Sequence, residues 1–125
     1  MLMESVRVSK QGRDQLITLK RRTGIENWNV LCRWAICMSL ADASPPRDQK
    51  LVTDSSVEMS WRTFGGENED LYDALIRQRC QQDGLPLTPE SLSYQFRLHL
   101  HRGISYLAGE KDMDSLAKLI QKAVK

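Results

Sequence analysis

Apolar and polar positions along this chain follow two periodicities. Polar and apolar residues alternate in 5–9 and again in 57–62, which is typical of short β-strands. Helical spacing covers five segments, at 10–23, about 28–41, 67–82, 89–109 and about 112–125. The pattern predicts a mainly α fold, a compact helical domain with one or two short β-strands, and a single domain over 1–125.

Several helix ends carry recognisable capping residues. Ser9 precedes the first helix as an N-cap, and Gly24 follows it in the position that favours a left-handed residue. Thr88-Pro89 combines a cap with proline at the first helical position. These residues predict a first helix over 10–23 and a later one beginning at Pro89.

The second helix is apolar around most of its circumference. A helix of this kind must be buried on most sides, and we expect a chain of this size to bury it against other copies of itself. The sequence therefore predicts a homo-oligomer with an interface formed by Trp28, Leu31, Trp34, Ile36 and Met38. Arg33 interrupts the apolar run, so we expect it to pair with a carboxylate across that interface or to reach an anion, the pairing being favoured.

In the helix that begins at Pro89, the stripe Leu92, Phe96, Leu100, Ile104 and Leu107 is expected to face the core. His99 and His101 are separated by two positions and point in nearly opposite directions on a helix. We therefore predict that they are surface polar residues and that the chain holds no metal.

Charge is unevenly distributed. The net charge is only +2, but residues 1–53 contain nine Lys or Arg against five Asp or Glu, whereas 54–125 contain nine against eleven. A polyanion would therefore contact the first half. The candidate phosphate-binding residues are Lys10, Arg13, Lys20, Arg21, Arg22, Arg47 and Lys50. The alternative for 20–22, three cations in the last helical turn, is that they only complement the helix dipole.

Catalytic chemistry has little support in the sequence. No phosphate-binding glycine motif and no Ser/His/Asp arrangement is present, so we expect neither enzymatic activity nor a cofactor. Cys32 or Cys37 could act in sulfur transfer, but both lie among core-type residues and are better explained as small hydrophobes. The odd number of cysteines, the lack of about 18 consecutive apolar residues and the absence of a signal peptide predict a cytoplasmic protein without a membrane span.

Three stretches carry a family resemblance. "LKRRTGI" at 19–25, "NWNVLCRWA" at 27–35 and "WRTFGG" at 61–66, with "VSK" at 8–10, resemble the DndE family of DNA sulfur modification proteins over nearly the whole chain. The resemblance implies a non-enzymatic accessory of bacterial DNA phosphorothioation. It implies a homotetramer that binds double-stranded DNA through surface cations and prefers nicked duplex, working alongside a cysteine desulfurase, DndC and DndD. On this basis Lys10, Lys20, Arg21 and Arg22 are the expected DNA contacts.

The order strand, helix, helix at the N-terminus also has the outline of a ribbon-helix-helix unit. In such a transcriptional regulator the strand at 5–9 would pair with the same strand of a second copy and enter the major groove. Arg7 would then read bases. This regulator is the alternative to the phosphorothioation accessory.

Overall fold

The computed structural model describes residues 2–109, which contain two short strands and five α-helices. In chain order these elements are β1 (Ser5–Arg7), α1 (Lys10–Thr23), α2 (Trp28–Ala41), β2 (Glu58–Ser60), α3 (Trp61–Gly65), α4 (Glu69–Gln82) and α5 (Pro89–Gly109). A single 3-10 turn at Gly66–Asn68 joins α3 to α4. The predicted mainly α fold is confirmed, whereas the helix predicted at about 112–125 lies outside the described residues.

The two strands form an antiparallel pair in which Ser5 lies opposite Ser60 and Val6 opposite Met59. Val6 and Met59 share the buried face, as the alternating pattern predicts, while their neighbours remain exposed. The partner of β1 therefore belongs to the same chain. Only the strand–helix–helix order of the expected ribbon-helix-helix unit is present, and the structure gives no support to its intermolecular ribbon.

Both ends of α1 form as their sequence predicts. The Ser9 hydroxyl accepts a hydrogen bond of 3.0 Å from the Gly12 N–H, so it satisfies one of the donors that a helix N-terminus leaves free. At the other end Gly24 has φ of 74° and its N–H donates to the Lys20 carbonyl. A left-handed glycine therefore ends the helix.

The strand predicted at 57–62 is wrong in its last two residues. The Ser60 hydroxyl accepts from the Thr63 N–H at 3.0 Å and thereby begins α3, so Trp61 and Arg62 are helical. Trp61 and Phe64 both enter the core from this one helix, with ring centroids 5.2 Å apart. Three-residue spacing places both aromatic rings on one helix face, which an extended strand would not do.

The core is built around the crossing of α2 and α5, and this corrects the predicted burial of α2. Leu31 and Ile36 are fully buried within one chain, so neither has surface left for a second copy. They join the α5 stripe that runs from Leu92 to Leu107, and the whole stripe is buried as predicted. A 21-residue helix packed along α2 is thus the partner that we had expected another subunit to provide.

Gly103 allows α2 and α5 to approach each other. A Cβ atom placed on Gly103 would lie 1.7 Å from the Ala35 carbonyl oxygen, a distance that no side-chain rearrangement relieves because the obstacle is backbone. Close helix contact at this point therefore requires glycine. The axial position of α5 along α2 is fixed by the same contact.

We expect Gly103→Ala to destabilise the fold by about 3 kcal/mol or more, the upper part of the range for overpacking, because the added methyl group must push the two helices apart. Denaturant unfolding of the purified variant measures this. Gly109→Ala is the matched control, since a Cβ there meets nothing within 4 Å. Equal midpoints for the two variants would contradict the close-packing role.

Candidate nucleic-acid interface

The helix α1 separates its buried and cationic residues onto two adjacent sectors of its circumference. Gly12, Leu16 and Leu19 are buried against the rest of the molecule. Four cations and the exposed Ile17 fall within about 100° of the helix circumference on the outer side, by 3.6-residue geometry. We call these four, Lys10, Arg13, Lys20 and Arg21, the cationic face of α1.

The acidic partners of this face bind it weakly. Lys10 lies 3.9 Å from Asp54 and Arg13 lies 3.6 Å from Asp14, and most of the side chains in these two pairs are well exposed. Pairs of this kind contribute about 0–1 kcal/mol and exchange readily for other anions. Within residues 2–109 the Arg21 side chain makes no hydrogen bond or ion pair, so the cations remain available to a polyanion.

The structure separates the three adjacent cations at 20–22. Lys20 places its ammonium group 4.8 Å from the centre of the Trp28 ring, a cation–π contact. Arg21 points outward. Arg22 turns towards α5 and donates a hydrogen bond of 3.0 Å to the Ala108 carbonyl, near the end of that helix. Arg22 therefore satisfies a helix terminus, and Lys20 and Arg21 are the members of the triplet that belong to the cationic face.

Arg47 and Lys50 are exposed in the long connection 42–57, which is held to the helices along its length. Tyr94 of α5 hydrogen-bonds to Asp48 and to the backbone of Gln49 at 3.1–3.2 Å. Ser55 donates to the Val8 carbonyl at 2.7 Å near the other end. These contacts hold the connection beside the N-terminal end of α1, where Arg47 lines the same cavity as Gln11 and Gly12.

The start of this connection is fixed by two arginines that sequence reasoning left out. Arg79 donates to the carbonyls of Leu40, Asp42 and Ser44 at 2.7–3.1 Å, and its Nε donates to Asp83. Arg102 donates to the carbonyls of Ser39 and Ser44, both at 2.8 Å. Together they satisfy the carbonyl groups that the C-terminus of α2 leaves free.

The two histidines predicted at the surface are buried instead. His99 contacts the Ser39 hydroxyl at 2.8 Å, and that hydroxyl also accepts from Arg102. Burial, with Arg79 and Arg102 nearby, lowers the pKa of His99 to about 4. His101 accepts from the Ser9 N–H and donates to the Arg97 carbonyl, and burial lowers its pKa as well. Both rings are therefore neutral structural links at neutral pH.

The sequence of α5 contains a signal for this polar network. Gln95, His99, Arg102 and Tyr106 recur at spacings of four, three and four along α5. Such spacing places them on one helix face, beside the apolar stripe. Tyr106 donates to the Asp42 carboxylate at 2.6 Å, and this bond with those from Ser44 lowers the pKa of Asp42. A polar stripe with helical period inside a buried helix indicates an internal network.

Arg33 finds a partner within its own chain. Its guanidinium donates to the backbone carbonyls of Phe64 and of Thr63, the latter at 3.1 Å, at the end of α3. The free carbonyl groups of a helix terminus therefore satisfy this cation without a carboxylate from another copy, and the predicted pairing across an interface stays a prediction. Arg33 ties α3 to α2.

Three of the five predicted interface residues keep some exposed surface. Trp34 and Met38 are two of these, and we call Val30, Trp34, Cys37 and Met38, which fall within about 100° of the circumference of α2, the outer face of α2. All four side chains are half-buried and none is charged. Trp28 lies apart from them, under Lys20. The assignment of Trp28, Trp34 and Met38 to an interface between copies stays a prediction.

Arg7, the base-reading residue of the regulator alternative, is paired with Glu58 across the β1–β2 sheet.

The cysteines offer no activated thiol, since burial raises the pKa of Cys32 to about 12 and also raises that of Cys37. Among the residues that the structure describes, no three His, Cys, Asp or Glu side chains converge on a metal-binding position. No helix within the same residues is long and apolar enough to cross a membrane.

The fold and this surface define a small, mainly α protein with one cationic helix face and a second cationic segment beside it. The family model described as DNA sulphur modification protein DndE matches residues 5–115, so the chain belongs to the DndE family of the DNA phosphorothioation system.

Solved structures agree with this assignment. DndE from Escherichia coli B7A, described as involved in DNA phosphorothioation modification, is 28% identical with a TM-score of 0.70, over 86% of this chain and 98% of that one. A DndE mutant with two glycine-to-lysine substitutions, involved in DNA phosphorothioation, is 23% identical with a TM-score of 0.67, over 86% and 99%. No curated protein matches the chain.

The buried histidines predict how stability depends on pH. A histidine whose folded-state pKa lies below its ordinary value near 6.5 resists protonation in the folded state but not in the unfolded state. Its contribution is therefore present above pH 6.5 and is lost as pH falls towards 4. We expect His99 alone to reduce the free energy of unfolding by about 1–2 kcal/mol between pH 6.5 and 5.

Denaturant unfolding at several pH values in this window measures the effect. His99→Asn keeps an acceptor for the Ser39 hydroxyl and removes the titrating group, so it should give a flatter pH dependence than the parent protein. An unchanged slope in the variant would contradict the assignment. The carboxylate of Asp42 has a lowered pKa and therefore titrates at more acidic pH, outside the window in which parent and variant are compared.

Proposed function

We propose that this member of the DndE family is a non-enzymatic DNA-binding accessory of phosphorothioation, which holds double-stranded DNA through the cationic face of α1 together with Arg47 and Lys50. The observation that carries the proposal is that four cations of one helix share one side, while the acidic partners of Lys10 and Arg13 lie at 3.6–3.9 Å and are mostly exposed. Such groups exchange their partners for phosphates and release counterions from the DNA.

The dimensions of the surface agree with contact to several phosphates. Lys10 and Arg21 are eleven residues apart on α1, which is about 16 Å along the helix axis. Duplex DNA carries one negative charge for about every 1.7 Å of its axis. A helix of this length laid along the backbone therefore meets several phosphates at once, and the contacts need no particular base sequence.

One chain presents a modest number of cations, so we propose that it acts as a homotetramer, as the sequence resemblance implies. The outer face of α2 is the surface proposed for assembly, because it is apolar and half-buried in one chain. Four copies would repeat the cationic face four times. Linked sites bind a polyanion much more tightly than one site does, without any new type of contact.

Preference for nicked duplex follows from stiffness if cations on several copies engage one DNA molecule. Intact duplex must bend to follow a compact protein surface, which costs of order 1–6 kcal/mol for a bend of 40–90° over 20–30 base pairs. A nick interrupts one strand and reduces that cost.

We propose no catalytic step for this chain. Its proposed partners are DNA, its own copies and the other phosphorothioation proteins, namely DndC, DndD and a cysteine desulfurase, and its proposed location is the cytoplasm.

The salt dependence of DNA binding tests the cationic face. Lys20→Gln with Arg21→Gln should weaken binding to random-sequence duplex. It should also reduce the slope of log K against log salt by about two for each chain that contacts DNA, because each lost phosphate contact releases about 0.9 fewer counterions. Gel shift or fluorescence anisotropy at several salt concentrations measures this.

The matched control is Arg62→Gln with Arg77→Gln, which removes the same charge from α3 and α4. If the two double variants changed the slope of log K against log salt equally, net charge rather than the cationic face would govern binding. A strong preference for one operator-like sequence over random duplex would favour the regulator alternative. Nicked and intact duplexes of one sequence, compared in the same series, report the nick preference.

Particle mass tests the assembly. Val30→Lys places a charge on the outer face of α2 and should shift a tetramer to smaller species, measured by light scattering after size exclusion. Substitution of Val30 should disturb the fold less than substitution of Trp34, because the Trp34 ring also packs on the core. Val52→Lys, at a strongly exposed position in the 42–57 connection, is the control and should leave the mass unchanged. Retention of the tetramer by both variants would place the interface elsewhere.

A further inference from the structure

A cavity of about 320 Å³ lies where the N-terminal end of α1, the middle of α5 and the 42–57 connection meet. Its volume is at the lower end of the range for small-molecule sites, roughly 300–1,000 Å³. None of its twelve lining residues, all within 2–109, is Asp or Glu, although the chain has 16 of these acids. Two arginines, three glutamines and two serines supply its polar lining. The cavity therefore favours an anion.

The two arginines have different roles in this cavity. Arg102 is held in place by its bonds to Ser39 and Ser44, and its charge is partly balanced by Asp42 at 3.7 Å. Arg47 is exposed and, within the described residues, its side chain has neither a hydrogen bond nor an ion pair. The donors of Arg102 thus serve the fold, and Arg47 is the cation of this cavity that is free to close on a ligand.

The remaining lining suits a group larger than a bare ion. Gln11 and Gln15 extend from α1, and Gln15 lies 3.4 Å from the Ser105 hydroxyl on the opposite helix. Leu51 and Leu98 add an apolar wall. A phosphate would meet the Arg47 guanidinium and the glutamine amide donors, and an attached sugar would contact the leucines. Both imidazole nitrogens of His101 are already bonded, so that ring takes no part.

We propose that this cavity binds the terminal phosphate of a nucleic-acid strand, a phosphomonoester with its sugar, such as a phosphorylated nick exposes. A phosphomonoester carries a charge of about −1.5 to −2 at neutral pH, more than the single charge of an internal phosphodiester, and so is attracted more strongly by Arg47 in a cavity without carboxylates. An uninterrupted strand would also have to pass in and out between α1, α5 and the 42–57 connection, which line the cavity. The inference rests on the proposed DNA binding and adds the chemical group that a nick would present.

Four duplexes of one sequence test this inference: intact, nicked with a 5′-phosphate, nicked with a 3′-phosphate, and nicked with hydroxyl ends only. We expect one of the two phosphorylated nicks to bind about tenfold more tightly than the hydroxyl nick, since charge-assisted hydrogen bonds to phosphate are strong. Whichever of the two phosphorylated nicks binds more tightly identifies whether the 5′ or the 3′ end of the strand enters the cavity. Inorganic phosphate should compete for the phosphorylated nick more than for the hydroxyl nick.

Two variants link the effect to the cavity. Arg47→Gln removes the free cation, and Gln11→Glu places a carboxylate in the lining; each should bring the ratio between phosphorylated and hydroxyl nicks close to one. Gln11→Glu should not weaken the fold, because the first turn of α1 has no acidic residue and an acid there complements the helix dipole. Thermal unfolding checks this. Arg62→Gln, the charge-matched control on α3, should keep the ratio.

Equal binding of phosphorylated and hydroxyl nicks by the parent protein would overturn the cavity assignment and leave the proposed DNA binding intact. A phosphate preference that survives both Arg47→Gln and Gln11→Glu would also overturn it. Failure to bind any of the four duplexes at low salt would instead remove the proposed function itself, and the cavity assignment with it.

Discussion

The contact between α2 and α5 at Gly103 determines where the other functional parts of this protein lie. The α5 backbone meets the Ala35 carbonyl at a distance that admits no side chain. Because interiors are closely packed, such a contact leaves little freedom in how the two helices cross. With α5 fixed, its polar stripe faces the end of α2, and α1 packs against the same helix with its cations outward.

A buried polar network then converts this packing into a defined surface. Arg79 and Arg102 satisfy the carbonyl groups at the end of α2, and the neutral His99 links Ser39 to α5. Buried polar groups are costly when left unpaired, so this network strongly favours one path for the chain as it leaves α2. That path brings the connection 42–57, with Arg47 and Lys50, beside the first turns of α1. A buried structural network thus positions Arg47 and Lys50, two of the proposed phosphate ligands.

The cations of the chain divide into those that hold the fold and those that remain available. Arg22, Arg33, Arg79 and Arg102 all donate to backbone carbonyls at or near helix ends. The cationic face of α1 and Arg47 have weak, exposed acidic partners or none among the described residues. This division agrees with the proposed DNA binding, because contact with a phosphate backbone needs mobile surface cations rather than buried ones.

The sequence by itself determined the helices, most of their ends and the family. Ser9, Gly24 and Pro89 act through contacts within a few residues, so local sequence is enough to predict their effect. The family follows from residues 19–35 and 61–66, whose order is too particular to arise from helix periodicity alone.

Only the tertiary structure decided what the residues predicted at the surface or at an interface contact. Leu31 and Ile36 lie in the core rather than at an interface, because a helix far along the chain covers them. His99 and His101 are buried for the same reason, and Arg22 and Arg33 reach carbonyl groups 86 and 31 residues away. Periodicity reports which residues share a helix face. It does not report which distant element packs on that face, and in this protein that packing separates structural cations from available ones.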